Sequence, residues 1–209
     1  PGTSSFYNSL QVSMNRRFGQ GFQLLTSYTY AKNIDDISGN QTASDTNSGV
    51  NWITLYANKS LYRGLSSFDI RNTLSVSGTY ELPLGKGKSL GSDLSGVLNH
   101  LVSGWQAGGI LSLANGVPGT IQMASRMTGI GIRQEFPDLV GTNNNPTRPG
   151  NAKQYFDVSQ FAPPPANTLG TLGRNTLTLP GRATLDFSLN KATNLSERMK
   201  LQFRFETFN

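Results

Sequence analysis

The residues able to do chemistry are few and scattered. Asp35 and Asp36 are adjacent, and Asp45 follows in the same polar stretch. Clustered carboxylates in a loop suit Ca²⁺, but the alternating donors and terminal Glu of a Ca²⁺ loop are missing. A solvated loop start is the expectation there, with no metal site. Gly85-Lys86-Gly87-Lys88 sets two cations among glycines. It lacks P-loop spacing and a strand-to-helix setting, so a basic turn is expected. His100 is the only histidine and there is no cysteine, which removes thiolate ligands, His-rich metal sites and a disulfide scaffold. Serines are abundant, but no Gly-x-Ser-x-Gly elbow accompanies them. The 12 acidic residues are dispersed rather than paired, as glycosidase chemistry requires. We therefore expect no enzyme activity and no cofactor. The net charge of +6 comes from scattered Lys and Arg, not from dense basic runs beside aromatics, so nucleic acid is not an expected partner.

A different set of polar residues is ordered by spacing. Gln11, Ser13, Asn15 and Arg17 recur at every second position. So do Asp186, Asn190 and, further on, Lys200, Gln202, Arg204 and Glu206. Between the first group stand Val12, Met14 and Arg16. Between the others stand Phe187, Leu189, Leu201, Phe203 and Phe205. Period-two alternation describes a strand with one polar and one apolar face. Asp186, Lys200, Arg204 and Glu206 could pair across strands on such a face.

The same alternation places strands near residues 5–18, 21–32, 68–82, 102–115, 182–192 and 198–209. Ile110, on the polar side of the fourth, is the exception there. These segments exceed the ~5–6 residues of an ordinary strand and reach the ~9–11 that a tilted bilayer-crossing strand needs. Charged residues are 14% of the chain, against roughly 25% in a typical soluble domain. Hydrophobic residues are only 36%. A wall between lipid and water tolerates that poverty in both. No apolar run approaches the roughly 20 residues of a membrane helix.

Connection lengths alternate. Gly19-Gln20-Gly21 is a tight turn, 33–67 a long loop, Pro83 to Leu101 a medium link with a short helix near Leu94–Leu101, 116–181 a very long loop, and the last connection tight again. Short turns at one end and long loops at the other are the habit of transmembrane barrels, and the basic turn would then face the periplasm. Tyr28, Tyr30, Tyr80 and Trp105, with Tyr7 and Phe18, lie near strand ends as interface aromatics would. Arg16, on the apolar face, must extend to the headgroups. The long loops are rich in Asn, Gly and Pro, including Asn143-Asn144-Asn145-Pro146 and Pro163-Pro164-Pro165, and little regular structure is expected in them. The fold expected is all-β: an antiparallel meander of long amphipathic strands, an incomplete segment of a transmembrane β-barrel. Pro1-Gly2-Thr3-Ser4-Ser5 has no signal-peptide character, and the chain stops within an alternating pattern at Phe208-Asn209, so we expect a part of a longer protein.

Several stretches resemble Oar-like TonB-dependent receptor proteins. They are Tyr7-Asn8-Ser9-Leu10-Gln11-Val12 with Arg16-Arg17-Phe18, and Ser27-Tyr28-Thr29-Tyr30-Ala31-Lys32-Asn33-Ile34-Asp35-Asp36. Further on come Arg63-Gly64-Leu65-Ser66-Ser67-Phe68-Asp69-Ile70-Arg71 and Tyr80-Glu81-Leu82-Pro83-Leu84-Gly85-Lys86-Gly87. The last are Gly104-Trp105-Gln106, Gly170-Thr171-Leu172-Gly173-Arg174-Asn175, and Leu201 through Asn209. The resemblance covers most of the chain and implies a Gram-negative outer-membrane barrel of about 22 strands around an N-terminal plug. It also implies uptake of a small-molecule or oligomeric nutrient with energy from TonB. No TonB box, plug or closing strand is recognised, so a late barrel portion is expected. The expected partners are outer-membrane lipid, the rest of the barrel and plug, TonB through the N-terminal part, and an unidentified substrate bound by loops 33–67 and 116–181. Two other readings of the residues stay open: a secreted β-rich binding module with Trp52 and Tyr56 as sugar platforms, and a passive porin.

Overall fold

In the computed structural model, residues 4–36, 62–123, 135–196 and 198–209 are described. Six long strands dominate: β1 (Ser5–Arg17), β2 (Phe22–Asp35), β4 (Asn72–Glu81), β5 (Trp105–Ala114), β10 (Arg182–Ser196) and β11 (Met199–Thr207). They form one sheet in the order β1-β2-β4-β5-β10-β11, a meander in which each long strand neighbours the next in sequence. Short pieces complete the set. β3 (Gly64–Leu65) pairs antiparallel with β2, β6 (Pro118–Gly119) with β9 (Leu177–Thr178), and β7 (Asp138–Leu139) with β8 (Phe161–Ala162). One helix, α1 (Gly96–Val102), lies in the link before β5.

Two compact units are distinguished. One comprises residues 11–29, 72–114 and 182–209, and the other residues 1–10, 30–71 and 115–181. In the first, β4, β5 and β10 pair antiparallel without register shift. Opposed residues share a face, so the pairing defines rows. One face carries Leu74–Leu113–Ala183, Val76–Leu111–Leu185 and Gly78–Gly109–Phe187. The other carries Ser75–Ser112–Thr184, Ser77–Ile110–Asp186 and Thr79–Gly108–Ser188. β11 continues both, with Phe205 opposite Leu189 and Arg204 opposite Asn190. The apolar side chains stay open: Leu185 is 57% exposed and Leu201 59%. A strand face this apolar, with nothing packed on it in its own unit, requires a non-aqueous neighbour.

Two glycines close the short-turn end of this unit. Gly21 has φ of +75°, and a Cβ there would meet the Glu81 side chain at 2.7 Å. Gly104 has φ of +80°, and a Cβ would meet the Ala192 carbonyl oxygen at 2.4 Å. Glycine alone meets both demands.

The second unit buries little grease. Its apolar centre is Tyr62, Phe136 and Leu172, with Ile121, Leu139 and Phe161 against it. The described parts of the very long loop, 116–123 and 135–181, are thus more ordered than their composition suggests. β2 also runs on to Asp35, because Ile34 and Asp35 pair with Leu65 and Gly64.

The row assignment makes a direct prediction. In the full-length protein folded into lipid vesicles, Leu111→Arg should cost about 2–4 kcal/mol by urea titration. Ser112→Arg, one residue along on the polar face, should cost less than about 1 kcal/mol.

Candidate functional site

The polar face is built by register. Asn190 stands opposite Gln106 on one side and Arg204 on the other, and Ala192 opposite Gln202. Asn194 opposes Lys200 just before the shift in register at Ser196. Two concave areas form on this face. One gathers Asn15 and Arg17 with Gln23, Ser77, Thr79 and Ser188. The other gathers Asn190, Lys200 and Gln202 with Glu81, Gln106 and the linker lysines Lys86 and Lys88. Gln11 and Ser13 lie on β1, exposed. The charges do not pair across strands as the spacing suggested. Arg204 Nε instead contacts Glu206 Oε1 at 3.7 Å along its own strand. Asp186 accepts from the Asn209 backbone N–H at 3.3 Å, and Glu206 faces Ser188 rather than a cation.

The apolar face carries aromatics near both strand ends. At the short-turn end, Phe18 stacks on Phe22 with centroids 5.1 Å apart, and Phe22 meets Tyr80 edge-on at 6.0 Å. Trp105 meets Phe203 edge-on at 6.1 Å. Lys191, which alternation did not single out, shares that row, between Trp105 and Phe203. Its ammonium sits 5.1 Å over the Trp105 ring and donates to the Ser103 carbonyl, leaving the apolar surface by way of the start of β5. Arg16 solves the same problem, with its guanidinium 4.7 Å over Phe18. Towards the other end, the Tyr28 hydroxyl donates to Asn72 Oδ1 at 2.6 Å. Tyr30 lies under the Arg71 guanidinium at 5.9 Å.

In the loop unit the organising residue is Arg174, which spacing did not single out. Its guanidinium is fully buried, ion-pairs with Asp35, and donates to the carbonyls of Tyr62 and Asp35, the latter at 2.6 Å. Burial pulls its pKa down to about 10, still protonated near neutrality. Asn175, at φ +53°, donates from Nδ2 to the Leu65 carbonyl at 2.6 Å and exchanges hydrogen bonds with Thr120. Asp35 and Asp36 are therefore not a solvated loop start. Both are buried, and Asp36 Oδ1 accepts from the Ser4 backbone N–H at 2.8 Å. Asp69 accepts from the Asn33 N–H at 2.6 Å and pairs with Arg71 at 3.1 Å. Among the described residues no group of acids and histidines has metal-ligand geometry. Asp45, Trp52 and Tyr56 lie outside the described residues.

A meander of long strands with one apolar and one polar face, aromatics near both strand ends, and a folded loop defines the wall of a membrane β-barrel. The chain belongs to the outer membrane beta barrel domain family, whose model matches residues 1–209. It is an outer-membrane protein, and its apolar face meets lipid. Searches of curated proteins and of solved structures return no match.

Arg174 supplies the test of the loop. Removing one partner of a buried ion pair typically costs about 3–5 kcal/mol. Arg174→Met in the full-length protein should open the 116–181 loop to limited proteolysis, while the heat-modifiable gel shift persists. Adding Asp35→Asn should restore part of the resistance.

Proposed function

We propose that this chain is the late barrel portion of a TonB-dependent receptor that binds a nutrient at the cell surface and imports it, without catalysis. The observation that carries the reading is the folded character of the described parts of the 116–181 loop, residues 116–123 and 135–181. A loop that long is uncommon unless it is functional or disordered. Here it is tied to the 62–69 segment by Arg174 and Asn175, to β2 by Asp35, and internally by reciprocal bonds between Asn145 and Thr178. Such ordering is the preorganisation that a binding surface needs.

On this reading Gln11, Ser13, Asn15, Arg17, Asp186, Asn190, Lys200, Gln202, Arg204 and Glu206 line the lumen beside the plug. Tyr28, Tyr30, Tyr80 and Trp105 mark the two lipid headgroup levels. The sequence resemblance to Oar-like receptors supports the energy-coupled form over a passive porin.

Uptake distinguishes the two. Cells are screened for a nutrient whose import requires this protein, and the assay is repeated with TonB deleted. Abolished import in the TonB-deficient strain is expected. Undiminished import would replace the receptor reading with the porin.

A further inference from the structure

The polar face ends, at the short-turn side, in a cavity of about 620 Å³. That size suits a small solute. Its chemistry is lopsided. Lys86, Lys88 and Lys200 bring three ammonium groups, and Glu81 the one carboxylate. With Lys191, which also lines it, four lysines against one carboxylate leave three formal positive charges in excess. None of these lysines forms an ion pair among the described residues. The Lys191 ammonium is held by Ser103 and Trp105.

The backbone that carries the exposed Lys86, Lys88 and Lys200 is held in place. Lys86 and Lys88 sit on a tight turn in which Gly85 N–H donates to the Leu90 carbonyl at 2.8 Å and Lys88 N–H to the Gly85 carbonyl at 3.0 Å. Asn99 of α1 pins that turn by accepting from the Lys86 N–H at 2.7 Å. Lys200 comes from β11, fixed opposite Asn194. Asn190, on the strand between, has a buried side-chain oxygen with no hydrogen-bond partner. That oxygen only accepts, so a ligand that satisfies it must offer an O–H, a hydroxyl or a protonated acid group, beside its anionic groups.

We infer that this cavity, lined by Lys86, Lys88, Lys200 and Asn190, binds a small soluble polyanion bearing phosphate or carboxylate groups. Lysine ammoniums suit either as point charges. The register decides between a soluble and a lipid source. Gln106, Asn190, Gln202 and Lys200 lie on the face opposite Phe203, and of the strand residues on the apolar face only Trp105 and Lys191 border the cavity, where β5 begins. The inference does not require TonB coupling, and its test is equilibrium binding, so failure of the uptake assay and failure of this one are separate results.

The full-length protein is reconstituted in nanodiscs and titrated calorimetrically with inorganic pyrophosphate and with citrate. Binding of at least one, weakening as salt rises, is expected. Lys88→Gln with Lys200→Gln should lower the affinity about tenfold or more. Asn190→Asp, nearly isosteric, should weaken it as well. Lys153→Gln, on an exposed loop, should not. Affinity for neither probe, or affinity that these cavity substitutions leave unchanged, overturns the site. Nanodiscs of phosphatidylcholine and of phosphatidylglycerol should give the same affinity. Loss of binding only in phosphatidylglycerol would show that lipid phosphate fills the cavity and would overturn the soluble ligand.

Discussion

A strand that crosses hydrocarbon has no water to satisfy its backbone, so each amide and carbonyl must find a partner on a neighbouring strand. The rest of this structure follows from that demand. β4, β5 and β10 meet it with continuous registers, Thr73 to Glu81 against Ala114 to Gln106, and Arg182 to Lys191 against Ala114 to Trp105. Once pairing is continuous, period two sends every second side chain to the same face. The apolar rows through Leu111 and Phe187 and the polar rows through Ser112 and Ser188 are then a single consequence of one register. A slip by one residue would exchange the two and drive Asp186 and Lys200 into lipid.

Where register cannot sort polarity, individual side chains do it. Lys191 and Arg16 are cations on the apolar face. Arg16 stands near the end of β1 and Lys191 opposite Trp105 at the start of β5, each beside an aromatic ring, where a long stem lets the charge reach the headgroups. In the loop unit the solution is the reverse. The backbone of an irregular loop cannot bury itself without partners. Arg174 and Asn175 supply donors to the Tyr62, Asp35 and Leu65 carbonyls, and Asp69 and Asp36 accept from the Asn33 and Ser4 amides. Polar bonds between distant segments do there what apolar packing does in a globule.

This division explains what was legible in the sequence. The six long strands and their faces could be read directly, because period-two alternation is local and Leu185-Asp186-Phe187-Ser188 states it within four residues. Even the exception held: Ile110 lies on the polar face, opposite Ser77 and Asp186. The continuation of β2 to Asp35 was not legible, since Lys32, Asn33 and Asp35 carry no alternation and their order comes from β3 across the loop. Nor was Arg174, whose partners Tyr62 and Asp35 are 112 and 139 positions away. Of the polar residues singled out, the alternation placed Asn190, Lys200 and Gln202 on a common face. It could not show that Lys86 and Lys88, from a linker without periodicity, join them. Cross-strand ion pairing failed as an expectation because the register sets Glu206 opposite Ser188 and Lys200 opposite Asn194.

The central claim is that one sheet separates lipid from water by alternate residues. These 209 residues contain no cysteine, and any in the remainder of the full-length protein is first replaced by serine. We would introduce single cysteines one at a time from Thr184 to Asn190 in the full-length protein and label outer membranes with a charged, water-soluble maleimide. The account predicts labelling at 184, 186, 188 and 190, with 185, 187 and 189 reacting only after unfolding. Labelling that is uniform along the strand, or that ignores the period of two, would contradict it.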